Sequence, residues 1–359
     1  MKTAPGTLTD AELQELIDVR RDLHSHPEIA FEEVRTSGIV AERLRAMGLT
    51  PRTGVGRTGV LATIEGGKPG RTVLLRADMD ALPIQEENAT PYRSQTDGKM
   101  HACGHDCHTS ILLGVSRQLV KLRSSLSGNV RLCFQPAEEQ GGGARAMIAD
   151  GALEGPRPDA AFGLHVWQDL DLGQIGVTPG PWMAAVDEFN VTLHGHGAHA
   201  AAPHQGFDPV LCLSHVIAAL QSIASRTADP LKEVVVSVTQ VRSGSAFNII
   251  PGEAELALEF RASEPKRFAE LEAALLGLAQ VVGRQYGLRL GMEPVGQCAP
   301  APMSARAQAA IASAADSLAL THAALSSCAG HDAQSLAPLT DAGMIFIPSR
   351  DGISHAPLE

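Results

Sequence analysis

The chain is poor in aromatic residues, which make up 4% of its 359 positions. Aliphatic side chains must therefore dominate its core, and a hydrophobic content of 44% is enough to build a substantial one. Basic residues are also in deficit: 29 Lys and Arg face 40 Asp and Glu, a formal net charge of −11. That balance repels a phosphate backbone and argues against a nucleic-acid partner. No run of 18 or more apolar residues occurs, so no membrane-spanning segment is expected. The opening MKTAPGTLTDAELQEL lacks the basic-then-apolar order of a secretory signal, and a cytoplasmic protein is expected. Cys103, Cys107, Cys133, Cys212, Cys298 and Cys328 form no CxxC pair and no regular framework. They read as free thiols of a reducing compartment, most of them small core residues. No G-x-S-x-G is present, which excludes the nucleophile elbow of a serine hydrolase.

The length suits two domains, or one domain with an insertion. From Asp10 to Met47 the spacing predicts two helices. The first is capped by Asp10 and broken at His26-Pro27; the second runs from Glu33 to Met47 and closes at Gly48. RTVLLRADMD, NVRLCFQPAEE and DAAFGLHVW read as strands, separated by the helical stretches SILLGVSRQLVKL and ARAMIADGAL. This alternation predicts an α/β fold, a mostly parallel sheet flanked by helices. The polar residues Asp78 and Asp80, Glu138 and Glu139, and His165 fall at the carboxyl ends of these strands, where such sheets gather functional groups. Residues 184 to 293 change character: their β-α-β-β-α order predicts a small inserted α+β domain close to the split-βαβ pattern. The catalytic domain would then comprise residues 1 to 183 and 294 to 359.

The densest chemistry is MHACGHDCHTS, which places His101, Cys103, His105, Asp106, Cys107 and His108 within eight residues. Thiol and imidazole are the usual donors for a borderline-soft cation such as zinc. FQPAEE sets Glu138 beside Glu139. The pair is either a solvated loop charge or a metal ligand beside a general base, since adjacent carboxylates need a counter-charge. A lone histidine after an apolar strand, such as His165 in FGLHVW, is more often a packed core residue than a ligand. The same holds for His355 in GISHAPLE. HGHGAHAAAPH adds His194, His196, His199 and His204 among small residues that let a ligand approach the backbone. Of the fourteen histidines only His215 and His322 lie outside these segments, HSH at 24–26 and GHD at 330–332; structural histidines would scatter.

Taken in order, RRDLHSHPEIAFEE, RADMDALPIQE, MHACGHDCHT, FQPAEE, GLHVW, HGHGAHAAAPHQGFDP, AFNIIPGEAE and GISHAPLE resemble one family across nearly the whole chain. It is the dinuclear-metal amidohydrolase and peptidase family that includes hippurate hydrolase, bacterial aminoacylases and the plant hydrolases of auxin–amino acid conjugates. The resemblance implies a catalytic α/β domain with an inserted, ferredoxin-like lid and dimerisation domain, in a homodimer or homotetramer. It implies two divalent cations (zinc, or manganese, cobalt or nickel) held by Cys103, His105, Glu139, His165 and His355, with Cys103 as a bridging thiolate. Glu138 would be the general base, and Asp80 would orient a ligand histidine. His199 would stabilise the oxyanion, in its own or a partner subunit's site, and Asn248 would bind substrate carboxylate or oxyanion. The implied reaction is hydrolysis of N-acyl amino acids of the hippurate or N-acetyl type. AGHDAQSLA departs from that branch and is similar to carbamoyl- and ureido-amide hydrolases of the wider family, so His331 and Asp332 are expected to contact substrate. An N-carbamoyl amino acid hydrolase or a dipeptidase is the alternative.

Overall fold

The computed structural model describes residues 7–139, 142–167, 170–177, 181–262, 265–298, 301–325, 331–349 and 352–359. The chain divides into two units, Met1–Gly180 with Met303–Leu325 and His331–Glu359, and Pro181–Pro302 with Ser326–Gly330.

The first unit opens with α1 (Asp10–Ser25). Thr9, not Asp10, caps it. The Glu12 backbone N–H donates to the Thr9 hydroxyl, while the Glu12 carboxylate accepts from the Thr9 backbone N–H, closing a capping box. Asp10 occupies the first turn, where its charge suits the helix dipole. α2 (Val34–Ala46) ends just before Gly48, which takes φ +80°. β1 (Arg52–Val55) and β2 (Gly59–Glu65) then pair antiparallel, a hairpin that periodicity had not predicted: β1 is short and mostly exposed, and so carries no alternation. β3 (Lys68–Asp78) leads to α3 (His105–Leu122). This helix starts at His105 rather than Ser110 and takes His105, Asp106 and His108 into its first turn. β4 (Ser127–Gln135), α4 (Gly143–Ala149), β5 (Ala160–Trp167) and β6 (Gln174–Gly176) follow.

The second unit holds β7 (Pro181–Met183), β8 (Ala185–His194), β9 (Ala198–His199), α5 (Pro209–Ser222), β10 (Val234–Ser243), β11 (Ile249–Ile250), β12 (Glu253–Ala262), α6 (Pro265–Gln285), β13 (Arg289–Cys298) and β14 (Ala301–Pro302). Its main sheet is antiparallel in the order β10-β12-β8-β13. Alternate residues of β8, among them Phe189, Val191 and Leu193, point inward. They meet Cys212, Val216 and Leu220 of α5 and Leu271 and Leu275 of α6. β13 completes a β-α-β-β-α-β order and moves the boundary from residue 293 to Pro302. Gly291, Pro294 and Gly296 hid it, since such residues are tolerated on an edge strand but spoil its signature. Pro209–Thr227 is long and apolar enough by length and composition to cross a membrane; its Cys212, Leu213, Val216 and Leu220 side is packed in this core.

Back in the first unit, α7 (Ala305–Ser317), β15 (Thr321–Ala323) and β16 (Asp341–Pro348) complete an eight-stranded sheet, β1-β2-β4-β3-β5-β16-β6-β15. Its four central strands, β4, β3, β5 and β16, run parallel. One face packs Leu23, Val40, Leu44, Leu112 and Leu113 of the first three helices against Ile64, Leu132 and Phe134. The other face packs Leu74 and Cys133 with Met147 of α4 and Leu336. Cys133 and Cys212 are thus small core residues as expected, and Cys328 lies outside the described residues. Because the central strands are parallel, their carboxyl ends lie on one edge, and Asp78, Glu138, Glu139 and His165 are delivered there together.

Candidate metal centre

Four segments meet at that edge. The Cys103 Sγ lies 3.5 Å from His165 Nε2 and 3.3 Å from His355 Nε2. Glu139 Oε1 is 3.5 Å from His355 Nε2 and 3.8 Å from His105 Nε2. Glu138 Oε2 stands 3.9 Å from the same His105 nitrogen. All five residues expected to hold metal are therefore brought together, although His355 follows Cys103 by 252 positions. The backbone N–H of His355 reaches the Ala102 carbonyl at 2.8 Å, which ties the segment after β16 to the loop that carries Cys103.

The imidazole tautomers suit cation binding. His105 Nδ1 is 2.8 Å from the Asp80 carbonyl, and His165 Nδ1 is 2.7 Å from the Val166 carbonyl. A carbonyl can only accept, so in each neutral ring Nδ1 carries the hydrogen and Nε2 presents its lone pair to the centre. His105 Nε2 and Glu139 Oε1 are both buried without a hydrogen-bond partner among the described residues. A buried imidazole nitrogen and a buried carboxylate oxygen left so are costly unless a proton or a cation stands between them. Thiol, imidazole and carboxylate in this arrangement fit a divalent cation of the zinc class.

The two carboxylates are built by a strained turn. Ala137 takes φ +50°, its N–H donates to Glu33 Oε1 at 2.8 Å, and its carbonyl accepts the Gly143 N–H at 3.1 Å. Asp80 then accepts the Glu138 and Glu139 backbone N–H groups at 2.9 and 3.0 Å. Asp80 was expected to orient a ligand histidine. Its carbonyl does that for His105, and its carboxylate, 3.4 Å from His105 Nδ1, instead caps the turn that carries the carboxylate pair.

Beneath this turn lies a network that sequence reasoning missed, centred on the buried Arg76. Arg76 Nε donates to Gln135 Oε1 at 2.8 Å, Nη1 to Asp78 Oδ2 at 2.7 Å, and Nη2 to Asp332 Oδ1 at 2.8 Å. A charge inside the apolar run VLLRAD was the available signal, because a buried guanidinium requires partners. Gln135 Nε2 and the Ala144 backbone N–H fill the remaining sites on the Asp332 carboxylate. His331 is similarly engaged: Nδ1 accepts from the Ala333 backbone N–H at 3.2 Å, which leaves the hydrogen of the neutral ring on Nε2, 3.3 Å from Asp78 Oδ2. The pair was expected to contact substrate; here its side chains are held by Arg76, Gln135 and backbone N–H groups. Asp332 also acts on Glu138, donating its backbone N–H to Oε1 at 3.2 Å. Burial, then the Asp332 and Glu139 charges, push the Glu138 carboxyl well above the usual carboxylate range.

Asp106 of the His/Cys motif faces elsewhere. Asp106 pairs with Arg20 at 2.8 Å and with His24 Nδ1 at 2.9 Å, and His24 Nε2 reaches Glu86 at 3.3 Å. Burial works against the charged form of Asp106, but Arg20 and His24 outweigh it and hold its carboxyl far below the usual range. His199 and Asn248 belong to the second unit. Pairing of β9 with β11 sets His199 opposite Ile249, and the Ala200 N–H donates to the Asn248 carbonyl at 3.0 Å. His199 Nδ1 accepts from the Ala201 N–H at 3.0 Å, so a neutral His199 carries its hydrogen on Nε2.

Protonation makes a prediction. Burial and the Glu139 charge push the Cys103 thiol well above its ordinary value, and Asp78 overcomes burial to hold His105 protonated. Both must lose a proton to bind a cation. Metal uptake by the chelated protein should therefore release protons, and apparent affinity should rise with pH through neutrality. Calorimetric titrations of Zn²⁺ in buffers of different ionisation enthalpy measure this; buffer-independent heats would contradict it.

Residues 74–359 match Peptidase family M20/M25/M40. The chain is 47% identical over 247 residues to N-acetyl-L-cysteine deacetylase of Bacillus subtilis, an alignment that spans 69% of this chain and 59% of that protein. It is 41% identical over 295 residues to N-acyl-L-amino acid amidohydrolase of Geobacillus stearothermophilus, covering 80% of this chain and 79% of that one. Among solved structures, a dinuclear metal-binding peptidase of the M20 family from Bacillus subtilis superposes with a TM-score of 0.81 at 32% identity, over 97% of this chain and 92% of the other. With four-fifths of its length inside the family match and its thiol, imidazole and carboxylate donors converging at the parallel sheet's carboxyl edge, the chain belongs to peptidase family M20/M25/M40.

Proposed function

We propose that this chain hydrolyses the amide bond of N-acyl amino acids, of the N-acetyl or hippurate type. The observation that carries the reading is the convergence of Cys103, His105, Glu139, His165 and His355 around a buried, proton-seeking Glu138. The names of the relatives, a deacetylase and an N-acyl amino acid amidohydrolase, support the substrate class. Two divalent cations held by those five residues would acidify water and polarise the amide carbonyl. Glu138 takes the proton from the attacking water and returns it to the leaving amine. Asp80 and Asp332 hold that carboxylate in place through the Glu138 backbone N–H and Oε1. His199, with its hydrogen on Nε2, donates to the developing oxyanion in its own or a partner subunit's site, and Asn248 binds the substrate carboxylate or oxyanion. In the same reading the second unit is the lid and dimerisation domain of a homodimer or homotetramer.

A panel of N-acetyl amino acids, hippurate, N-carbamoyl amino acids and dipeptides tests the reading. Hydrolysis of an N-acyl member, abolished by a chelator and restored by Zn²⁺ or Mn²⁺, is the expected outcome. Preferential turnover of N-carbamoyl substrates would move the assignment to that class, and activity indifferent to chelation would sink the metal mechanism.

A further inference from the structure

His108 stands among Asp78, His105 and His165, a group whose candidate ligand atoms all lie within 4.8 Å of one another. By composition it is a natural metal ligand, but both its ring nitrogens are already used. Nε2 accepts the Val166 backbone N–H at 3.0 Å, and Nδ1 lies 2.6 Å from Asp78 Oδ1. A backbone amide can only donate, so in the neutral ring the lone pair is on Nε2 and the hydrogen on Nδ1, pointing at Asp78. No lone pair remains for a cation.

What the ring joins is more telling than what it could ligate. Asp78 ends β3. His108 sits in the first turn of α3, where its own N–H bonds to the Gly104 carbonyl at 3.0 Å. Val166 directly follows His165 on β5. One imidazole therefore spans three segments, two of which supply Cys103, His105 and His165. The contact is close: Gly104 takes φ +71°, and a Cβ added there would come within 2.6 Å of Val166 Cγ2. The separation of the Cys103–His105 segment from His165 is thus set at a junction with no spare room.

We propose that His108 is a positioning residue and not a metal ligand: its two hydrogen bonds, to Asp78 and from Val166, fix the distance between the donor-bearing start of α3 and His165. The inference rests on the ligand set of the proposed function, and a binding measurement separates the two. Co²⁺ alone is titrated into the chelated protein, and stoichiometry and affinity are read from the thiolate–cobalt absorption. His108→Phe keeps the ring's bulk and loses both hydrogen bonds. His108→Asn retains a donor near the Nδ1 position, and His108→Gln an acceptor near Nε2.

All three variants should still bind two Co²⁺ per chain. His108→Phe should bind them about 10- to 100-fold more weakly, the usual loss when a ligand's support is removed. His108→Asn and His108→Gln should each recover part of that loss. A space-filling role predicts wild-type affinity in His108→Phe, which would overturn the inference. A drop to one Co²⁺ per chain in all variants would make His108 a ligand and overturn it equally. If His108→Phe does not fold, wild-type affinity in both amide variants overturns it, and weakening in either supports it. Failure of the wild type to take up Co²⁺ would instead sink the ligand set itself, and this inference with it.

Discussion

Glu138→Gln should lower kcat on the best N-acyl substrate by about 10²- to 10⁴-fold, the usual contribution of a positioned general base. The substitution preserves shape. A glutamine oxygen still accepts the Asp332 N–H now received by Oε1, and the donors Cys103, His105, Glu139, His165 and His355 are untouched. What disappears is a carboxylate that can take and return a proton. KM and bound metal should therefore stay near wild type, so that the loss falls on kcat. Stability gives an independent check with a definite sign. Glu138 is buried beside Asp332 and Glu139, whose charges oppose its ionisation, so its removal relieves repulsion. The metal-free variant should melt at or above the wild-type temperature. A variant that keeps kcat within tenfold of wild type at full metal occupancy would remove Glu138 from the base role.

The second large effect concerns folding. Arg76→Met should cost about 3–5 kcal/mol of stability in the chelated protein, the range for removing one partner of a buried ion pair. Arg76 is buried, and its guanidinium is the donor that joins Asp78, Gln135 and Asp332. Methionine replaces the stem and leaves two carboxylates without their cation. Burial raises the Asp78 carboxyl, but His105 and Arg76 outweigh it and hold it well below the usual aspartate range. A depressed carboxylate contributes stability above its unfolded pKa, and that contribution is lost as pH falls through the folded value. The gap between wild type and Arg76→Met should accordingly narrow below about pH 4, near the ordinary aspartate value. Urea denaturation of both proteins at pH 7 and at about pH 3, below the ordinary aspartate value, measures it. Equal stability at pH 7 would show that the carboxylates find another counter-charge.

Much of this was legible beforehand because the signals are local. Strand and helix periodicity, the break at His26-Pro27 and the stop at Gly48 depend on neighbours a few residues away, and the structure follows them. So does the sorting of donors to strand ends, since a parallel sheet aligns those ends whatever its loops do. The amphipathic count placed the start of α3 too late, because its first turn is polar and capped by a left-handed glycine. β1 and β13 escaped for the opposite reason: one is short and exposed, the other broken by glycine and proline on an edge.

By itself, then, the sequence determined the fold class, the insertion between two halves of the larger unit, and the chemical kind of centre. Residue type and short-range spacing carry those. Only the tertiary structure decided which polar residue faces which. Asp80 caps the carboxylate turn, Asp332 holds Glu138 from behind, Asp106 belongs to Arg20 and His24, and His108 spends both nitrogens on protein. The reason is distance along the chain: Arg76 and Asp332 lie 256 positions apart, Cys103 and His355 252. No local preference records such a contact; it exists only once the sheet has brought the strand ends together and burial has made every unpaired charge costly.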